Sequence, residues 1–353
     1  MMFQLSLIGS VQTPPSGSSL LLVLTSDQCL FLTPPAVGAM TMTPSTPSVL
    51  LLLLHHLLSP VSSQTVDPSV ADLTNRNLDF AARLYRAVAS RTDDNVFLSP
   101  FTLTTGLTAL LNATSGPTQD QLLQGLTLTG LDPQTLPGRS RPKGSGVGCG
   151  VGEGQKFEFL LLSDLFQTLR TTILQGGTAM NLQQGVAVFP AQSFQVSSSY
   201  LDLVQTKFGG TAQSLAYTSP EQAIDTINRW AQEQTGDQIK ELVTNLDPQT
   251  QLLLATAASY QARFSPSFNS SLSQEERFYV DRYHIVMVTM MFRADKYFLA
   301  YDSSVKAGVL KLLMTDGMAM LVVLPDEDVD VTTVEEEVTA EKIQAWIKQL
   351  KKT

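Results

Sequence analysis

Apolar residues recur every three or four positions through much of the chain, and this spacing predicts helices. The clearest case follows Pro220, where Ala223, Ile224, Ile227 and Trp230 share one face. The same spacing predicts helices over residues 71–91, 102–111, 118–126, 165–173 and 200–208. A last helix is predicted after Thr339, which is placed to cap it.

Strand-like patterns dominate the second half of the chain. Residues 251–260 and 319–324 are continuous apolar runs, which predict strands buried on both faces. Alternating or short apolar patterns predict further strands over residues 95–100, 184–189, 279–291 and 306–313. Helices come first and strands later, without repeating βαβ units, so the fold class predicted is α+β.

The first 63 residues have the character of a leader. A leucine-rich run of about ten apolar residues precedes small residues around Val61 and Ser63, which is the secretory signal pattern. A membrane anchor is the alternative, but the run is too short to span a bilayer. We expect cleavage after Ser63, and a start at Met40 would give a signal of 24 residues. Residues 64–353 then form the domain.

Residues 138–154 differ from everything around them. Glycine occupies every even position from 144 to 154, yet no strand leads in and no helix follows in the way a phosphate-binding loop requires. We predict a flexible insert over residues 138–164. Its basic residues are candidate heparin contacts, namely Arg139, Arg141 and Lys143.

Charge and rare residues exclude several classes of function. The 353 residues carry 23 basic and 32 acidic side chains, a net charge of −9, which argues against a nucleic-acid partner. Beyond the leader, His284 and Cys149 are the only histidine and cysteine. A zinc site, an internal disulfide and a Ser-His or Cys-His catalytic pair are therefore not expected. We predict no enzymatic activity, no metal and no cofactor.

Two sequons accompany the secretory signal. They are Asn112-Ala113-Thr114 and Asn269-Ser270-Ser271, and both asparagines are candidate glycosylation sites. The acidic clusters Asp326–Asp330 and Glu335–Glu337 are predicted to be solvated charges, because their spacing is not that of an EF-hand loop. His284 is predicted to be structural or at the surface.

Four motifs occur in the order and spacing of one known family. They are Asn95-Val-Phe-Leu-Ser-Pro100, Ile227-Asn-Arg-Trp230 followed by Thr235, Val288-Thr-Met-Met291 and Leu321-Val-Val-Leu-Pro-Asp-Glu327. In these residues the chain resembles the serpins, over residues 71–353 apart from the insert. The resemblance is to the secreted, antitrypsin-like group that regulates blood coagulation. It implies the serpin fold, with helices packed on mixed β-sheets.

The resemblance implies an inhibitor that acts mechanically. A serine protease cleaves an exposed reactive loop, and the cleaved loop inserts as a new strand into a metastable sheet. The implied partners are coagulation proteases such as factor Xa or factor XIa, together with protein Z. No hinge-like run of small residues occurs in this chain, so we expect a serpin domain that is incomplete at its C-terminus and lacks the reactive loop. A non-inhibitory serpin-like binding protein is the alternative.

The resemblance also assigns structural roles. Ser99 matches the first serine of the shutter, the polar cluster beneath the central sheet, and Thr102 replaces the second. Thr256 stands where the family has a shutter asparagine, and Asn228 and Trp230 match the helix motif. The loss of a buried amide at residue 256 is expected to weaken the hydrogen bonds that hold the sheet.

Overall fold

The computed structural model describes residues 4–6, 50–54, 68–91, 96–131, 151–175, 181–279, 285–326 and 329–353. Eight helices lie in these ranges, and most follow the predicted apolar spacing. They are α1 (Pro68–Ala89), α2 (Pro100–Leu111), α3 (Pro117–Gly125), α4 (Val151–Gln175), α5 (Ser198–Phe208), α6 (Pro220–Thr235), α7 (Val331–Glu337) and α8 (Ala340–Gln349).

Eleven strands lie in the same ranges. They are β1 (Gln4–Ser6), β2 (Leu50–Leu54), β3 (Asn181–Pro190), β4 (Thr211–Ala212), β5 (Leu252–Gln261), β6 (Gln274–Tyr279), β7 (Ile285–Met290), β8 (Phe298–Asp302), β9 (Ala307–Leu313), β10 (Ala319–Pro325) and β11 (Lys351–Lys352). Together with the helices they form the predicted α+β architecture.

The main sheet has the order β1-β5-β3-β4. Its centre is the antiparallel pair of β3 and β5, in register from Asn181 opposite Gln261 to Pro190 opposite Leu252. β4 joins the outer side of β3 in parallel, and β1 pairs in parallel with three residues of β5. β5 therefore has a long partner on one side and a short one on the other.

A second, five-stranded sheet has the order β11-β8-β9-β10-β2, and all its neighbours are antiparallel. The apolar run that the sequence assigns to the leader forms its edge, with Leu50–Leu54 paired to Ala319–Val323 of β10. The expected cleavage point after Ser63 lies outside the described residues. β6 and β7 form a separate two-stranded ribbon.

Both faces of the main sheet are buried. Val186, Val188 and Leu254 face the core formed with α2, α4 and α5. Ala187, Phe189, Leu253, Ala255 and Ala257 face the core formed with α6. Burial on both faces explains why residues 251–260 read as an unbroken apolar run rather than an alternating one. A third core joins α1, α7 and α8 to β9 and β10.

One predicted strand is wrong. Residues 96–99 form no strand and lead directly into α2, which begins at Pro100. A proline ring suits the first turn of a helix, where no intrahelical partner for its missing N–H is needed. Val96 is buried in the core that α1, α7 and α8 form with β9 and β10, and it is not part of a strand. An apolar run before proline was thus compatible with either structure.

The predicted end of the glycine-rich insert is also wrong. The sequence places that end at residue 164, but α4 begins at Val151 and is continuous to Gln175. Leu161, Leu162 and Ser163 are buried, so the packed domain resumes before residue 164. The apolar spacing of α4 begins inside the predicted insert, but the neighbouring glycines made that part of the sequence resemble a flexible segment. Residues 132–150, including Arg139, Arg141, Lys143 and Cys149, lie outside the described residues.

Several smaller elements differ from the predicted pattern. Of the strand expected over residues 279–291, Ile285–Met290 form β7 and Tyr279 ends β6, while residues 280–284, with His284, lie outside the described residues. The sequence did not predict β8 or α7. Asp330 caps α7, because its Oδ1 accepts a hydrogen bond from the Thr332 N–H at 2.9 Å.

Candidate functional site

The polar cluster beneath the main sheet lies where α2 meets β3. The Thr102 hydroxyl donates to Gln184 Oε1 on β3 at 3.1 Å, and Ser99 Oγ lies 2.9 Å from Thr102 Oγ1. Because Thr102 has given its only proton to Gln184, Ser99 donates to Thr102. Thr102 is buried, so this chain of hydrogen bonds ties the start of α2 to the sheet. We call Ser99, Thr102 and Gln184 the shutter cluster.

Thr256 contributes contact rather than an amide at the shutter. It lies opposite Val186 in the β3–β5 ladder. A Cβ added at Gly106 of α2 would come within 2.6 Å of Thr256 Cγ2. The glycine therefore lets α2 approach β5 until the threonine methyl fills the space between them. The amide in this region comes from Gln184 on the neighbouring strand, which the sequence did not single out.

Asn228 of α6 holds the segment that follows the helix. Its Oδ1 accepts hydrogen bonds from the backbone N–H groups of Leu242 and Val243 at 2.8 and 2.9 Å, and its Nδ2 donates to the Val243 carbonyl at 2.9 Å. Leu242 and Val243 are both buried. The side-chain amide of Asn228 thus satisfies three backbone groups in a segment that is not part of a strand and therefore lacks strand-pairing hydrogen bonds.

Trp230 and Thr235 complete the attachment of α6. The Trp230 ring meets the Phe189 ring edge to face, with centroids 5.8 Å apart, and its Nε1 donates to Thr211 Oγ1 at 3.2 Å. Thr235 Oγ1 accepts from the Ile239 N–H at 3.0 Å. All of these contacts hold α6 and the segment after it on the sheet, which explains the spacing of Asn228, Trp230, Thr235 and Ile239.

The outer edge of β5 is only partly paired. β1 covers Leu253, Leu254 and Ala255. Among the described residues, the ladder on this side ends there, while on the β3 side it continues to Gln261. An edge of this kind presents backbone donors and acceptors that can pair with a further strand.

A second network joins α1 to α7. The Tyr85 hydroxyl donates to Glu335 Oε1 at 2.8 Å. Burial raises the pKa of Glu335, and the nearby carboxylates of Asp330 and Glu336 add to this, although the Tyr85 hydrogen bond opposes it. The expectation that all of Glu335–Glu337 are solvated is therefore wrong for Glu335, because α7 turns this residue toward α1. Burial likewise raises the pKa of Tyr85.

A third network joins α8 to β8. Trp346 Nε1 donates to Asp302 Oδ2 at 2.6 Å, and Lys342 Nζ lies 3.8 Å from the same oxygen. Burial raises the pKa of Asp302, but hydrogen bonds from Ser304 and Trp346 and the charge of Lys342 outweigh this, so the pKa is lowered overall. The carboxylate is held ionised against the helix, a role that the sequence did not predict.

The remaining predicted residues are dispersed. Asn112 lies at the C-terminal end of α2, opposite the end that carries the shutter cluster, and Asn269 lies in an exposed turn before β6. Within the described ranges, no group of three or more His, Cys, Asp or Glu side chains could hold a metal ion. No helix in those ranges is long and apolar enough to cross a membrane.

Comparison with known proteins agrees with this architecture. The profile of the serpin family, described as serine protease inhibitor, matches residues 75–353. Human protein Z-dependent protease inhibitor is 26% identical over 279 residues, which are 79% of this chain and 57% of that protein. This chain thus spans less than two thirds of the length of that relative.

Solved structures give the same result. The crystal structure of mouse protein Z-dependent protease inhibitor superposes with a TM-score of 0.70 at 25% identity, over 80% of this chain and 70% of the other. Human thyroxine-binding globulin gives a TM-score of 0.69 at 23% identity, over 81% and 70%, and shares the fold. The resemblance carried by the four motifs is confirmed. The chain belongs to the serpin family.

Proposed function

We propose that this serpin is a secreted inhibitor of serine proteases of the coagulation type, such as factor Xa or factor XIa, and that protein Z is an accessory partner. Inhibition proceeds by cleavage of a reactive loop and its insertion into the main sheet. The similarity to human protein Z-dependent protease inhibitor supports the choice of protease and partner.

The observation that carries this proposal is the outer edge of β5. A strand can be added only where backbone groups are free to pair, and the ladder with β1 accounts for three of the ten residues of β5. The other side of the strand is held by β3 along its whole length. Insertion beside β5 would therefore extend the sheet at its less paired edge.

The attachment of α6 sets how firmly the sheet is covered. The helix is held by Trp230 against β3 and by Asn228 against its own exit segment. Widening the sheet requires the side chains under α6 to move together, so these contacts contribute to the barrier. The shutter cluster adds a connection between α2 and β3, and the hydrogen bond from Thr102 runs to Gln184 of β3 rather than to β5. This arrangement favours movement beside β5.

The leader and the basic segment also have proposed roles. Residues 1–63 direct secretion and are removed after Ser63. Arg139, Arg141 and Lys143 contact heparin weakly, since three basic side chains make a small patch on a chain of net charge −9.

A second candidate function is that of a non-inhibitory binding protein. The observation that favours it is β1, because residues of the leader already occupy part of the edge that insertion would need. If the leader is retained, an inserting strand must first displace Gln4–Ser6. The two candidates therefore differ in whether the leader is cleaved and in whether the edge accepts a strand.

The test begins with the transcript, because no hinge-like run of small residues occurs in residues 64–353. The 3′ end is sequenced, and the product of the complete reading frame is incubated with factor Xa and with factor XIa. An SDS-stable complex with either protease supports inhibition. Binding of protein Z without any such complex, together with an intact N-terminus by mass spectrometry, would establish the binding protein instead.

A further inference from the structure

The two sequons of the chain have the same motif but opposite surroundings in the folded protein. Asn112 ends a buried helix and is itself half-buried, whereas Asn269 is exposed and precedes a 3₁₀ turn over Ser270–Leu272. An N-linked glycan is bulky and hydrated, so it can be carried only where the asparagine amide faces solvent.

The amide of Asn112 is engaged on both sides. Its Nδ2 donates to the Thr108 carbonyl one turn earlier in α2 at 2.9 Å. Its Oδ1 accepts from Ser163 Oγ of α4 at 3.4 Å, and Ser163 is fully buried. A sugar on Nδ2 would have to be placed between α2 and α4, at the cost of these contacts.

The hydroxyl of the first sequon is also engaged elsewhere. Thr114 Oγ1 donates to the Leu111 carbonyl at 2.9 Å and so helps to end α2. In the folded protein this hydroxyl serves the helix and not the asparagine of its own sequon.

The second sequon has the reverse arrangement. Asn269 Oδ1 accepts from the Ser271 N–H at 3.0 Å and from the Ser271 hydroxyl at 2.9 Å. Both bonds are made by the amide oxygen of an exposed residue, so neither of them uses Nδ2, the atom that a glycan would occupy. The hydroxyl of the sequon thus contacts the asparagine that would be modified, and the turn holds the amide in one orientation.

We propose that Asn269, and not Asn112, carries an N-linked glycan in the folded protein. The donor is an oligosaccharide linked to a lipid diphosphate. The bond between Asn269 Nδ2 and the first sugar carbon forms, the bond from that carbon to the diphosphate oxygen breaks, and Nδ2 loses one proton. The lipid diphosphate is the leaving group. The proposal rests on the secretion included in the proposed function.

A glycan at this place also has a physical benefit. Leu272, three residues away, is 50% exposed, and the turn precedes the β6–β7 ribbon, in which Met287 is 58% exposed. A hydrated glycan on the turn keeps other proteins away from this apolar surface and so raises solubility.

The experiment uses the full chain, translated in the presence of endoplasmic-reticulum membranes, as wild type and as N112Q, N269Q and S271A. Glycosidase treatment in heavy-oxygen water followed by peptide mass spectrometry identifies each modified asparagine. We expect one glycan on wild type and on N112Q, and none on N269Q or S271A. S271T, which keeps the hydroxyl, restores the glycan. A glycan on Asn112, or its persistence in N269Q, overturns the proposal.

In a parallel set of the same variants, a secretory leader of known function is fused before the full chain. Glycosylation of Asn269 in this set alone would mean that the native leader fails to direct secretion, while the choice of site stands. Protease-protected chains that lack a glycan in this set would overturn the proposal about Asn269 and leave secretion supported.

Discussion

The side chain of Asn228 allows a direct test of how α6 is held over the main sheet. Replacement by alanine removes three hydrogen bonds at once, two accepted from the N–H groups of Leu242 and Val243 and one donated to the Val243 carbonyl. The surrounding backbone is buried, with Leu242 fully shielded and Val243 3% exposed. The variant therefore leaves polar backbone groups without a partner rather than merely deleting a surface contact.

The size of the effect follows from those groups. A buried donor left without a partner costs about 1–3 kcal/mol, so two such groups predict a loss of about 2–6 kcal/mol in the free energy of unfolding. The half-buried position of Asn228 lets some water enter, so the lower half of this range is expected. For a domain of this size, each kcal/mol lowers the melting temperature by about 2 °C, which predicts a fall of roughly 4–8 °C.

The assay is urea denaturation of the full chain, followed by tryptophan fluorescence, with thermal melts in parallel. Asn245→Ala is the matched control, because Asn245 lies in the same segment and is exposed. Asn228→Asp is the second variant. It keeps both acceptor positions but loses the donor to the Val243 carbonyl, so it should recover part of the loss.

Equal stability of Asn228→Ala and Asn245→Ala, within about 0.5 kcal/mol, would refute the reasoning, since surface substitutions fall within that range. An Asn228→Asp variant no more stable than Asn228→Ala would show that the two N–H bonds are not the source of the effect.

Three further predictions concern α2, α7 and the leader. Gly106→Ala places a methyl group against Thr256 and should lower the free energy of unfolding by about 1–3 kcal/mol. Thr256→Ser in the same chain removes the methyl group that it meets and should recover most of that loss. If the effects of the two changes on stability are simply additive, the contact between residues 106 and 256 is contradicted. Because burial raises the pKa of Glu335 above its ordinary value of 4.5, the folded state holds the proton more tightly, and wild-type stability should fall as pH rises from about 4.5 toward neutrality. Glu335→Gln should lack this part of the slope in urea titrations, whereas an identical slope in both proteins would exclude Glu335 as its source. Removal of residues 1–63 uncovers the edge of β10, so amide hydrogen exchange at Ala319–Val323 should become faster than in the full chain. Unchanged exchange rates would mean that β2 does not pair with β10 in solution.

Local patterns were sufficient wherever one interaction dominates. The helix after Pro220 was predicted with its buried face, because a proline start and apolar residues at helical spacing leave few alternatives. Thr339 caps α8 as expected, with its Oγ1 accepting from the Lys342 N–H at 3.2 Å. The motif around Asn228 and Trp230, with the other motifs, was sufficient to identify the family.

Other features depended on partners distant in sequence. The apolar run before Pro100 is predicted to be a strand, but in the folded protein Val96 is buried in the core of α1, α7, α8, β9 and β10 without strand pairing. The burial of Glu335 depends on Tyr85, 250 residues earlier. An acidic run has the same local pattern whether it is solvated or half-buried.

The sequence by itself determined the α+β class, most of the helices, the buried central strands and the family of this protein, because periodicity and spaced motifs are local properties of the chain. Only the tertiary structure decided that Gln184 completes the shutter cluster, that Asp302 is held by Trp346, and that the two sequons differ. In each case the role of a polar side chain is set by which buried group lies within about 3 Å, and hydrogen bonds at that range depend on how separate elements pack.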